Sequence, residues 1–115
     1  MTDKSTLLAR LKQQPEQVEF TEVIATIEAC YHYTPAEFRN GNTVNAAGTN
    51  EGSAKIFAFA QLNQLDIAQT LACFGKFYRQ DVLANPQGDD HQNIRNFMQS
   101  GWQGISFSSP ALQEK

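Results

Sequence analysis

The sequence predicts a mainly helical α+β fold, with four to five helices around one buried central helix and a small β hairpin and strand element. Three observations predict it. Apolar residues recur at helical spacing between the four prolines, Pro15, Pro35, Pro86 and Pro110. One segment near the middle of the chain is apolar around nearly its whole circumference. Short alternating stretches flank an Asn-Gly pair at residues 40 and 41 and return at residues 105–107.

A chain of 115 residues, 41% hydrophobic, suits one domain, spanning residues 1–115. Area scaling gives roughly 6,000 Å² accessible when folded against roughly 18,500 Å² unfolded, so about two-thirds of the surface can be buried without staples. Helix content near half is expected.

Ser5 is suited to cap a short first helix carrying Leu7, Leu8 and Leu11, which ends near Pro15 because proline disfavours a helical residue before it. A second helix is expected from about Thr21 to Tyr31, with Phe20, Val23, Ile24, Ile27 and Tyr31 on one face. Thr34-Pro35-Ala36-Glu37 has the form of a capping box with proline at the first helical position, and predicts one short helical turn. Asn40-Gly41 favours a tight type I′ turn, with Phe38-Arg39 and Thr43-Val44 as the hairpin arms. Residues 45–49 read as a loop. Thr49 or Asn50 then starts the central helix, from about Glu51 to Leu65, on which Ala54, Ile56, Phe57, Ala58, Phe59, Ala60, Leu62 and Leu65 leave no polar face.

Asp66-Ile67-Ala68-Gln69 is a second capping box and predicts a helix to about Leu83, with Ile67, Leu71, Phe74, Tyr78 and Val82 as its stripe. Asn85-Pro86-Gln87-Gly88 is a turn. Asp89 is expected to cap a last helix to about Ser100, with Ile94, Phe97 and Met98 buried and Gly101 left-handed after it. Trp102, Ile105 and Phe107 lie in an extended-looking stretch whose short strand can pair with the hairpin. Residues 108–115 are expected to fray.

Composition excludes several classes of function. Nine Lys and Arg against twelve Asp and Glu give a net charge of −3, without the basic stripe that nucleic-acid binding needs. The longest apolar run, Ile56 to Ala60, is far too short for a membrane span or a signal-peptide core. Two cysteines, Cys30 and Cys73, suggest free thiols in a reducing compartment rather than a disulfide scaffold. Neither has the positive neighbours that would make a nucleophilic thiolate. His32 and His91 are the only histidines, so no metal-ligand spacing exists and no cofactor is expected.

The chain is rich in amides, with 8 Asn and 12 Gln, and most of the Asn falls in two short clusters. Both clusters sit beside candidate site residues. At the start of the central helix, Asn50, Glu51, Gly52 and Ser53 could receive a carboxylate or phosphate at the open N–H groups and positive dipole end. Equally, Asn50 could simply cap the helix. On the last helix, His91 and Arg95 share one border of the apolar stripe and Asn93 the other. They suit either an oxyanion site or hydrogen bonds to neighbouring loops. Arg39, in the hairpin, needs a partner, and Glu51 is the expected one.

Phe38-Arg39-Asn40-Gly41 and Asn45-Ala46-Ala47-Gly48-x-Asn50-Glu51-Gly52-Ser53 resemble blocks of the HopJ type III effector family. So do Thr70-Leu71-Ala72-Cys73-Phe74-Gly75 with Tyr78-Arg79, and Asp81-Val82-Leu83-x-x-Pro86-x-Gly88. Asp90-His91-Gln92-Asn93-Ile94-Arg95-Asn96-Phe97-Met98 and Gly101-Trp102-x-Gly104-Ile105-x-Phe107 complete a resemblance over about residues 18–107. It implies a bacterial protein, resident in the cytoplasm or injected into a host cell through a type III secretion system, that acts by binding a host protein. It brings no reaction, cofactor or substrate with it. The residues themselves support another expectation: a small cytosolic protein taking an anionic small molecule at a pocket beside the central helix, through Asn50, Glu51, Ser53, His91 and Arg95.

Overall fold

The computed structural model describes residues 4–115. Helical turns of all kinds hold 55% of these residues and strands 13%, a mainly helical α+β architecture. Helix α1 spans Lys4–Gln13, so Ser5 lies within it rather than capping it. A 3-10 turn at Pro15–Gln17 leads into α2, Phe20–Cys30. Arg10 crosses to Glu22 and fastens the two helices. Tyr31, expected to end α2, opens strand β1, Tyr31–Tyr33.

The helical turn expected at Thr34–Glu37 does not form. The backbone of this stretch is engaged by the chain's end instead: Thr34 N–H donates to the Ala111 carbonyl at 2.8 Å, and the Glu37 carbonyl accepts from Ser108 N–H at 3.0 Å. Strands β2, Phe38–Asn40, and β3, Thr43–Asn45, form the predicted hairpin. Its central residues are Gly41 and Asn42, and only Gly41 has positive φ, at 62°. That is the pattern of a type II′ turn rather than type I′. Asn40 becomes the last residue of the strand and is fully buried. Asn45, expected in a loop, ends β3.

Helix α3, Glu51–Leu62, is the core of the molecule, with Ala54, Ile56, Phe57, Ala58, Phe59 and Ala60 all buried. Its last turn is open on one side, where Leu62 is exposed. Phe57 meets Phe38, Phe74, Phe97 and Trp102 at ring separations of 5.0–6.4 Å. The fold is thus centred on one phenyl ring touched by side chains from four separate segments.

The predicted capping box opens α4, Ile67–Ala72. Asp66 Oδ1 accepts from Gln69 N–H at 2.7 Å, and Gln69 Oε1 accepts from Asp66 N–H at 3.1 Å. The helix does not continue to Leu83. It breaks at Gly75, whose φ is +57°, and resumes as a π-helical segment, Phe77–Val82. A Cβ at Gly75 would stand 2.7 Å from the Phe20 backbone nitrogen, so the break seats this segment directly on the start of α2. Arg79 reinforces the contact, donating to the Val18 carbonyl at 2.8 Å and to the Pro15 carbonyl at 3.3 Å.

Helix α5 spans Gln92–Ser100 and starts after His91, so Asp89 does not cap it. Its buried residues are Asn93, Ile94, Arg95 and Phe97, while Met98 is exposed. Gly101 has the expected positive φ but an extended ψ, and opens a 3-10 turn, Gly101–Gly104. Trp102 sits in that turn, half-buried, and donates from its indole to the Leu65 carbonyl at 3.2 Å. Strand β4, Ile105–Phe107, joins the hairpin as predicted, in the order β3-β2-β4, with Phe38 opposite Phe107. The tail is not frayed. Ala111 and Leu112 are buried, and β5, Leu112–Glu114, pairs antiparallel with β1.

Candidate functional site

Two segments far apart in sequence, with Asn45 and Asn93 48 residues from each other, arrive at one place because their asparagines bond to each other. Asn45 and Asn93 exchange side-chain amide hydrogen bonds, at 3.1 and 3.2 Å. Asn40 donates to the Asn93 carbonyl and Oδ1 at 2.8 and 3.0 Å, and Asn50 donates to Asn45 Oδ1 at 2.7 Å. Asn96 donates to the Asn40 carbonyl and to Thr43 Oγ1. Asn40, Asn45 and Asn93 are all buried. Every side-chain amide nitrogen of the set is engaged, and only Asn40 Oδ1 among its buried oxygens lacks a partner, so these bonds specify how α5 seats on the hairpin.

The network brings the N-termini of α3 and α5 to a common cleft of about 400 Å³. Asn50, Gly52 and Ser53 line it from one helix and His91, Gln92 and Asn93 from the other, with Phe20, Phe74, Phe77 and Ile94 as the apolar wall. Both helices start in an unusual way. Asn50 and His91 occupy the N-cap positions with left-handed backbones, at φ 49° and 48°, and neither side chain caps its helix. An N-cap ordinarily has extended backbone, from which its side chain turns back onto the first amides. Here Asn50 is instead committed to Asn45, which excludes the simple capping role open to it from sequence.

The consequence is a donor-rich wall. The first intrahelical bonds are Ala54 N–H to the Asn50 carbonyl and Ile94 N–H to the His91 carbonyl. The amides of Glu51, Gly52, Ser53, Gln92 and Asn93 have no acceptor among the described residues. Two positive dipole ends therefore face one cavity, and none of the side chains lining it is a carboxylate.

His91 is the one titratable group in the lining. Its Nε2 lies 3.0 Å from Asp81 Oδ2 and 3.9 Å from Asp90 Oδ2. Its ring packs on Phe77 at 5.2 Å. The Asp81 bond fixes the imidazole and leaves Nδ1 without a protein partner among the described residues.

The other candidates lie elsewhere. Glu51 starts α3 but is exposed and outside the cleft lining. Arg39 is exposed on the outer face of β2, and the expected ion pair with Glu51 is absent among the described residues. Glu51 lies instead beside Tyr33, where burial and the carboxylate push the phenol's pKa up.

Arg95 points away from the cleft and grips the loop that precedes His91. Its Nε donates to the Asp90 carbonyl at 2.6 Å, Nη1 to the Asn85 carbonyl at 2.9 Å and Nη2 to Asp90 Oδ1 at 2.5 Å. Gly88 passes so close that a Cβ would stand 2.7 Å from Nη2. Arg95→Ala is expected to cost about 2 kcal/mol in urea unfolding, since two carbonyls lose a charged donor and a buried side chain is lost. The guanidinium also holds the Asp90 carboxyl below its ordinary pKa. That contribution is complete above the unfolded carboxyl's pKa and is lost as pH falls through the lower folded value, so the cost of Arg95→Ala should shrink in acid.

Cys73 takes no part. Burial pushes its thiol up to about 12, and the described residues contain no group of His, Cys, Asp and Glu fit for a metal. Sequence reasoning missed Asp81, Phe20 and Phe77 as site residues. Asp81 stands ten residues before His91, across a π-helical segment and a turn, so no regular period links them.

A family model described as HopJ type III effector protein matches residues 4–112. A solved structure described as "Crystal structure of unknown function protein VPA0580" is 55% identical over 97% of this chain and 93% of that one, with a TM-score of 0.96. No curated protein matches.

Proposed function

The chain belongs to the HopJ type III effector protein family, and from that membership and the cleft we propose that it acts by binding, with a small anionic molecule held between the starts of α3 and α5. The observation that carries this reading is the convergence of four unpaired amides, those of Gly52, Ser53, Gln92 and Asn93, on a cavity lined by no carboxylate. A carboxylate or phosphate accepts from such amides without needing a lysine or arginine. Ser53 adds a hydroxyl donor at the same wall. His91, held by Asp81 through Nε2, adds Nδ1, which donates to an anion when the ring is the imidazolium. About 400 Å³ falls in the size range of small-molecule sites, and the mix of an apolar wall with a few convergent polar groups is their usual composition.

No described helix is long and apolar enough to cross a membrane. The family's description extends naturally to delivery of this chain through a type III machine, after which a bound anion would be sequestered or sensed in the host cell.

Binding is tested by urea unfolding at constant ionic strength with rising inorganic phosphate or acetate. A saturable gain in stability is expected, about 2.7 kcal/mol at one hundred times the dissociation constant. His91→Gln and Ser53→Ala should each weaken it several-fold without unfolding the protein, because neither side chain is in the buried amide network. A gain that rises without saturation, equal in the variants, would contradict a site here.

A further inference from the structure

We infer that the acid held in this cleft carries a flat aromatic ring. This rests on the anion-binding reading above and goes further, to the class of molecule. Phe38, Phe57, Phe59 and Phe97 are almost completely buried, yet Phe77 is 38% exposed on the cleft wall. It is fixed there on both sides. Phe20 meets it edge to face at 5.0 Å, and the His91 ring lies 5.2 Å away, tilted by 38°. The π-helical segment is what puts it there: Phe77 and Asp81, four residues apart on this wider winding, both reach His91, one with its ring and the other with its carboxylate. Such single wide turns recur where a side chain must be re-aimed at a site.

A Cβ on Gly52 would stand 3.0 Å from Phe20 Cζ, so the phenyl edge lies against the same turn that presents the open amides. The apolar wall and the donor wall therefore adjoin, and one small molecule with an acid and a ring meets both. An aromatic edge or face on Phe20 and Phe77 has favourable geometry that a saturated chain lacks. A cavity of about 400 Å³ takes one or two rings.

The test uses the full chain and four probes at fixed ionic strength: acetate, benzoate, phenylacetate and benzyl alcohol. Dissociation constants are read from ligand-dependent stability in wild type, Phe77→Ala and Phe77→Leu. Benzoate and phenylacetate should each bind at least tenfold more tightly than acetate, and benzyl alcohol should give no saturable effect. Phe77→Ala should cut the preference for benzoate over acetate to below threefold. Phe77→Leu, which keeps apolar bulk and guards against misfolding of the alanine variant, should fall between. Equal affinity for acetate and benzoate, or a benzoate preference that survives both substitutions, would overturn the ring and leave the anion site standing. Benzyl alcohol binding as well as benzoate would overturn the acid in both readings. Failure of both acids to bind would remove the site and this inference together.

Discussion

Phe57→Ala should destabilise the protein by about 4 kcal/mol, the range measured for removing a fully buried phenyl ring from a core. Phe57 is 0% exposed and is the ring on which Phe38 of β2, Phe74 after α4, Phe97 of α5 and Trp102 converge. Its loss removes contacts from four segments at once, and their own rings cannot all collapse into one hole. A small domain has a total stability of roughly 5–15 kcal/mol, so the variant should unfold at much lower urea, or be partly unfolded without it. Phe57→Leu should recover about half of the loss, because leucine fills much of the volume. Near-native stability for the alanine variant would mean that the core closes around another centre.

Asn93→Ala should cost about 2–3 kcal/mol for a different reason. The side chain accepts from Asn40 and Asn45 and donates to Asn45, all buried. Truncation leaves those buried amides short of partners, and each unsatisfied group costs on the order of 1–3 kcal/mol. Asn93→Asp preserves shape but turns the donor facing Asn45 Oδ1 into a second acceptor, so at neutral pH it should be at least as damaging. A double-mutant cycle between Asn45 and Asn93 should return a coupling of about 1–2 kcal/mol, since the pair exchanges two bonds. Additive effects would show that α5 is seated by its apolar stripe alone. These variants should also weaken anion binding, because the network sets the approach of α3 and α5.

How far the sequence discloses such features depends on whether they are local. The central helix is legible because an all-round apolar pattern admits one explanation, a buried position. The capping box at Asp66 and Gln69 is complete within four residues and forms as written. The pairing of residues 105–107 with the hairpin follows from alternation on both partners. By contrast, the break at Gly75 depends on the Phe20 backbone lying where a side chain would be, which no local pattern encodes. The Thr34–Glu37 turn loses to backbone bonds from Ser108 and Ala111, residues whose composition suggests fraying. Asp89 has good capping chemistry, yet the N-cap of α5 falls two residues later, at a left-handed His91, because Arg95 draws the Asp90 carbonyl and carboxylate to itself.

The candidate site divides along the same line. Asn50, Ser53, His91 and Asn93 stand out in the sequence as polar residues at helix starts, and they meet at the cleft. Arg95 stands out equally but holds a loop, and Arg39 faces solvent. Residue type locates polar clusters, whereas the asparagine bonds between them decide which clusters share a cavity. Phe20, Phe77 and Asp81 enter the site only through the Gly75 break and the π-helical winding.

The most direct measurement is an amide chemical-shift titration of the ¹⁵N-labelled chain with benzoate at constant ionic strength. Saturable shifts with one dissociation constant are expected at Gly52, Ser53, Gln92 and Asn93, moved downfield as their N–H groups gain an acceptor, with small changes elsewhere. Shifts confined to other surfaces, or drifting without saturation while these four amides stay fixed, would contradict an anion site between α3 and α5.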